Sequence, residues 1–254
     1  MSSVKYFLLI VIASLTLISC KSKFTDSEAV APAEELYNRA LKNLEEGEYK
    51  KASLGFEKVF FQHLGSIVTP KAELMQAYSL YLAGEYDEVV DVLDIFIKTH
   101  PRHEGIAYAY YLKALANYTQ ISNVKLDQSR TRYACVGLEE VINRFPGSKY
   151  ATDAALKIDL VNDHLAGKEM LIGRYYLKKK NLVAAIKRFQ TVVGQYDTTS
   201  HISEALYRLV ESNLMLGLTD EAKKYATVLR YNYPDSSWGK YSYKLLEQCD
   251  TAKP

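Results

Sequence analysis

Five histidines, three cysteines and a short lysine run are the side chains of this 254-residue chain that could do chemistry, and most are badly spaced for it. His63, His100, His103, His164 and His201 form no HExxH pair, and Pro101 breaks the helix that the one close pair, His100 and His103, would need to share a metal. No GxSxG elbow, GxxxxGK[ST] loop or GxGxxG loop occurs, so acyl hydrolysis and nucleotide binding lack their usual backbone cradles. Lys178-Lys179-Lys180 closes a helical pattern, where positive charge complements the helix dipole rather than phosphate. The residues therefore point to a non-enzyme without cofactor or metal. No spacing rule pairs Cys135 with Cys249, and two free thiols are expected. Cys20 is different, because of what precedes it.

Met1–Ile18 carries one charge, Lys5, and then an apolar run of 13 residues from Tyr6 to Ile18, too short to span a bilayer as a helix. It reads as a signal peptide over residues 1–19. The run ends in Leu17-Ile18-Ser19-Cys20, a leucine three residues before a cysteine with a small residue just ahead of it. This resembles the bacterial lipobox, in which the cysteine is acylated and becomes the first mature residue. Cys20 is thus the lipidation site, palmitate included, and two or more acyl chains would hold the protein on a membrane. Lys21 occupies the position where an aspartate resembles an inner-membrane retention signal, which points to the outer membrane. Residues 20–32 follow as a lipidated tether, polar and small up to Pro32, which sits where a first-turn proline belongs. Beyond Cys20 the chain keeps all 30 acidic residues and loses only Lys5 from its 32 basic ones. That balance argues against a nucleic-acid partner.

The rest of the chain repeats itself. In GEYDEVVDVLDIFIKTHP, Gly84 ends one helix, Asp87 and Glu88 favour the first turn of the next, Val89, Leu93 and Phe96 form an apolar stripe, and Pro101 stops it. The stripe recurs as Ala52/Phe56/Val59, Ala134/Leu138/Val141, Ala185/Phe189/Val192 and Ala222/Ala226/Leu229. It is the second-helix half of a tetratricopeptide (TPR) repeat, in which a small residue lets two helices approach. The fold class expected is all-α, a right-handed superhelix of five TPR repeats after a lipoprotein signal peptide.

Successive stripes start 37, 45, 51 and 37 residues apart, against an ideal repeat of 34. The first long interval predicts a loop around Gln120–Asp127, between a tyrosine-rich helix and one opening near Asp127 or Ser129. The second predicts an overlong first helix in repeat four, from Lys149 to Lys179, roughly 45 Å long and projecting beyond a regular stack. Gly167 and Gly173 are candidate bends in it.

Together the lipobox, the repeats and a set of local motifs resemble the BamD family, the TPR lipoproteins of the outer-membrane β-barrel assembly machinery (the BAM complex). The motifs are His100-Pro101-x-His103, Tyr108-x-x-Tyr111 and Arg144-Phe145-Pro146-x-Ser148-x-Tyr150-Ala151-x-Asp153-Ala154. They continue with Leu165-Ala166-x-x-Glu169, Tyr175-Tyr176, Ala184-Ala185-x-x-Arg188 and Leu216-Gly217-Leu218. Two departures occur: His63-Leu64-Gly65-Ser66 replaces the tyrosine-proline that usually closes the first repeat, and the fourth closes with Tyr196-Asp197.

The resemblance implies a lipid-anchored scaffold on the periplasmic face of the outer membrane. Its implied partners are a BamA-like barrel-assembly subunit, companion lipoproteins and unfolded outer-membrane protein peptides. Repeats one and two (33–101) would form a peptide-binding half, repeats three to five (102–234) a partner-docking half, and residues 235–254 a C-terminal helix and tail. Register within each repeat places Tyr37, Tyr78, Tyr81, Tyr111 and Tyr118 near an inner groove, where tyrosine offers apolar area and a hydroxyl for a peptide backbone. The opposing reading is packing, since large residues at helical spacing usually fill the space between helices. The alternative function is another periplasmic TPR lipoprotein adaptor, such as a peptidoglycan-enzyme regulator or a pilus-assembly factor.

Overall fold

The computed structural model describes residues 31–251; Cys20, the signal peptide and the tether up to residue 30 lie outside the described residues. Every element among them is a helix: α1 (Ala33–Glu45), α2 (Tyr49–Gln62), α3 (Thr69–Ala83), α4 (Tyr86–Thr99), α5 (Ile106–Thr119), α6 (Ser129–Arg144), α7 (Lys149–Lys178), α8 (Leu182–Gln195), α9 (Ile202–Met215), α10 (Thr219–Asn232) and α11 (Ser237–Thr251). Each helix packs on the next in the chain, and alternate helices α1, α3, α5 and α7 also touch, so the molecule is an all-α stack of helix pairs of the TPR kind. α11 closes the stack against α9 and α10.

All fifteen residues of the five stripes are buried, twelve of them on α2, α4, α6 and α8 with no exposed surface. The helices approach closely where small residues meet: a Cβ on Gly55 would stand 2.8 Å from Ala40 Cβ, and one on Gly137 would stand 2.9 Å from Ala114 Cβ. Gly84, at φ 80°, makes the left-handed turn between α3 and α4, and between α7 and α8 the same sign of φ falls on Lys180 at 59°. Pro32 is the N-cap residue of α1 rather than a member of its first turn.

Two sequence departures leave the backbone unchanged. His63, His100, Phe145, Tyr196 and Tyr233 end their helices with φ between −138° and −125° and ψ between 40° and 57°. Each carbonyl then accepts from the amide three residues on, at Ser66, His103, Ser148, Thr199 and Ser236. The closing turn is set by geometry that several residue pairs satisfy.

The long helix differs from expectation in two ways. It runs unbroken over 30 residues through both glycines. Gly167 and Gly173 are sites of close approach instead of bends: a Cβ at Gly173 would stand 2.4 Å from the Phe189 ring, and one at Gly167 would stand 3.0 Å from His201 Nε2. Nor does α7 project. Its first half, with Ala154, Val161 and Leu165, joins Leu138 and Val141 of α6, and its second half, with Ala166 and Met170, joins Ala185 and Phe189 of α8. The extra turns serve two neighbouring cores. Its polar edge also holds loops, since His164 Nε2 lies 2.6 Å from the Ser122 carbonyl and Lys168 Nζ donates to the carbonyls of Lys125 and Leu126.

Candidate functional site

Three first helices of successive pairs, α3, α5 and α7, present tyrosines to one another at helical spacing. Tyr78 and Tyr81 are three apart on α3, Tyr108 and Tyr111 three apart on α5, and Tyr150, Asp153 and Lys157 follow at i, i+3 and i+7 on α7. The Tyr150 ring lies 5.7 Å from that of Tyr108 and 5.3 Å from that of Tyr111. Tyr81 stacks edgewise on Tyr86 at 5.5 Å, and its hydroxyl is 3.1 Å from Thr119 Oγ1. Tyr111 donates its hydroxyl to Asp153, whose Oδ2 also accepts from Lys157 Nζ at 2.7 Å. Lys157 Nζ in turn stands 5.7 Å from the Tyr118 ring centre.

Burial pushes the phenols of Tyr108 and Tyr111 well above the ordinary tyrosine range; the neighbouring phenols add to this at Tyr108, as does the Asp153 carboxylate at Tyr111. Hydrogen bonds from Lys157 and Tyr111 hold the Asp153 carboxyl below its ordinary value. The Tyr108 and Tyr111 phenols therefore stay protonated beside one compensated carboxylate. Among the described residues, Tyr81 and Tyr111 are the members with a protein partner for the hydroxyl, which leaves Tyr78, Tyr108, Tyr118 and Tyr150 able to bond an incoming backbone. Rings without net charge, next to hydroxyl donors, suit an extended polypeptide of varied sequence.

Of the five tyrosines expected at a groove, four meet here. Tyr37 does not: it is buried in the first helix pair with its ring 5.3 Å from Phe56, because its position on α1 faces the α2 stripe. Tyr108, Tyr150, Asp153 and Lys157 complete the face without having been singled out as site residues. Their spacing from one another was the available signal, but which helix they would meet was not.

A second polar constellation joins α7, α9 and α11. Arg208 donates to Glu211 Oε2 at 2.9 Å and to Glu204 Oε1 at 3.2 Å, and Arg174 donates to Glu204 Oε2 at 2.9 Å. The Arg208 guanidinium also lies 5.3 Å from the Tyr207 ring centre and 5.4 Å from that of Trp238. Elsewhere Cys135 and Cys249 are unpaired, and burial pushes the Cys135 thiol up to about 11, with Glu139 adding to it. No group of three or more His, Cys, Asp or Glu among the described residues is arranged to hold a metal ion.

Comparison with known proteins adds lineage to this geometry. Residues 30–229 match the family model described as YfiO, outer membrane lipoprotein. The outer membrane protein assembly factor BamD of Rickettsia prowazekii (strain Madrid E) is 58% identical over 238 residues, 94% of this chain and 95% of that one. The factor of the same name from Caulobacter vibrioides is 44% identical over 215 residues, 85% of this chain and 70% of that one. With a family match across nearly all the helix pairs and such identity to these relatives, the chain belongs to the YfiO family of outer membrane lipoproteins, the BamD family.

Proposed function

We propose that this chain acts in outer membrane protein assembly as a scaffold, holding extended segments of unfolded outer-membrane proteins on the tyrosine face of α3, α5 and α7. The observation that carries the reading is the convergence of Tyr78, Tyr81, Tyr108, Tyr111 and Tyr150 on one tyrosine-rich face with spare hydroxyls. No reacting group is needed for that task, and the chain is read as a non-enzyme. The barrel-assembly subunit, BamA-like, and companion lipoproteins dock on the C-terminal half. Leu156 and Leu160, one turn apart on α7 and 72% and 56% exposed, support such a docking surface. Acyl chains on Cys20 would keep the protein on the periplasmic face of the outer membrane. Charge balance supports the absence of a nucleic-acid partner.

The test is binding of a C-terminal peptide from an outer-membrane protein to the Tyr78→Ala/Tyr81→Ala double variant. Each truncated ring should weaken binding by about 1–2 kcal/mol, while capture of the barrel-assembly subunit persists. Unchanged peptide affinity in a normally melting variant would remove the tyrosine face from the mechanism.

A further inference from the structure

The groove between α1 and α2 has a twin inside the stack. Ala40 of α1 faces Gly55 of α2 as Ala114 of α5 faces Gly137 of α6, a Cβ on the glycine falling 2.8 Å and 2.9 Å from the alanine Cβ, so the two helix pairs share one register. In that register Leu36, Arg39 and Asn43 stand where Tyr110, Lys113 and Asn117 stand, and Leu54 and Lys58 stand where Val136 and Glu140 stand. What differs is the cover. The preceding helix, α4, lines the α5–α6 groove with Val90 and Asp94, and Lys113 Nζ donates to Asp94. α1 is the first helix among the described residues, and no helix before it covers the α1–α2 groove.

Charge separates the two grooves as well. Around the covered one, Asp94 and Glu140 balance Lys113 and Arg130. The open one, of about 320 Å³, is lined by Arg39, Lys51 and Lys58 and by no carboxylate. Arg39 and Lys51 reach Glu35 and Glu48 within one turn, exposed pairs of little strength that an incoming acid displaces, and Lys58 enters none of the ion pairs among the described residues. Leu54, 58% exposed, and the half-buried Leu36 supply the apolar floor. The missing charge is the one a covering helix brings. Asp94 comes five residues after Val89, the first stripe residue of α4, and Glu57 comes five after Ala52 on α2, where it lines the α3–α4 groove. In both covered grooves, the helix on top carries an acid at the same point.

We infer that the α1–α2 groove is a docking site for an amphipathic helix of a partner protein, which covers it as α4 covers its twin, with an aliphatic residue on the Leu36–Leu54 floor and, four residues on, a carboxylate facing Arg39. Helical spacing returns two residues at that interval to one side. Three cations in the lining repel a basic helix, and the leucines give a helix without apolar side chains nothing to bury against. The site shares no residue with the tyrosine face and stands independently of the peptide-holding role assigned there. Its occupant continues the stack by one helix at the N-terminal end.

The probe is a hydrocarbon-stapled helical peptide with valine and aspartate four residues apart on its open face, titrated into the detergent-solubilised full chain beside a twin carrying asparagine for aspartate. The aspartate peptide should bind on the order of tenfold more tightly. Arg39→Gln/Lys58→Gln should abolish that preference without lowering the melt, since both side chains are exposed. In Arg39→Glu/Lys58→Glu the preference should reverse, so that a lysine twin binds better than the aspartate peptide. Equal binding of the aspartate and asparagine peptides to the parent overturns the inference, as does a preference that survives Arg39→Gln/Lys58→Gln. If the preference survives there and disappears in Tyr78→Ala/Tyr81→Ala, the acid is read on the tyrosine face, and the groove falls while the scaffold reading stands. A preference that emerges only when residues 21–30 are deleted would make the chain's own tether the occupant. Self-association that Arg39→Gln/Lys58→Gln removes would make it a second copy, and either result overturns the partner helix.

Discussion

The tyrosine face of α3, α5 and α7 and the arginine face of α7, α9 and α11 share a scaffold but treat their polar groups in opposite ways. On the arginine face, Arg208 and Arg174 are spent on Glu204 and Glu211, and the guanidinium is covered by Tyr207 and Trp238. Such a network is closed; it ties α11 to the stack through aromatic and ionic contacts and leaves little for a ligand. On the tyrosine face, rings cover rings, and the charged groups are Asp153 and Lys157, directed largely at each other, and Lys149, whose Nζ stands 5.2 Å from the Tyr150 ring centre. Several hydroxyls stay uncommitted. A satisfied network holds helices together, whereas spare neutral donors are available to a partner.

Removing the centre of the closed network should have the largest effect. Arg208→Ala strands Glu211, leaves Glu204 with Arg174 alone and uncovers Tyr207 and Trp238, at about 2 kcal/mol of stability, tempered because the Arg208 side chain retains some solvent contact. Peptide binding at the other face should hold. A thermal melt within 1 °C of the parent would show that the arginine face is as open as the tyrosine one.

Gly173→Ala sharpens the contrast through the helix both faces share. The new methyl meets the buried Phe189 ring in the α8 half of the core, and the overpacking exceeds the gain in helix propensity, leaving a net loss of about 1 kcal/mol. Tyr111 and Tyr150 pack with the other core cluster and should be undisturbed. Equal loss of peptide affinity and stability would mean that α7 moves as one lever.

The smallest change is Tyr111→Phe, which removes one donor from Asp153 and costs about 0.5–1 kcal/mol in denaturant unfolding. Asp153 is depressed in the fold, so its contribution is present above the ordinary aspartate pKa and is lost as pH falls through the lower folded value. The variant should lose part of that acid-limb dependence, so its deficit is full at pH 7 and shrinks as pH falls through the acid limb. A loss as large as that of Arg208→Ala would make the tyrosine face a structural clamp.

What the amino-acid order determined by itself was periodic. A small residue followed by large ones at i+4 and i+7 can be buried in one way only when two helices approach closely, so the five stripes predicted the part of the core that the second helices supply. The closing turns followed too, and proved tolerant of the His63 and Tyr196 departures because their requirement is a backbone angle. Interval length located the Gln120–Gln128 loop and the long helix within a residue or two. Tertiary structure alone decided which neighbour each surplus residue met. α7 has apolar positions for two partners, and a single periodicity cannot say whether the extra turns project or bridge two cores; the α6 and α8 stripes decided it. Gly167 and Gly173 read as weak points along one helix and became contact points only once His201 and Phe189 stood against them. The same holds for the tyrosines. Spacing along one helix shows that Tyr108 and Tyr111 share a face, but whether that face is covered, as at Tyr37, or meets Tyr150 and Asp153 of α7 depends on how successive helices are placed. Local periodicity carries no information about that placement.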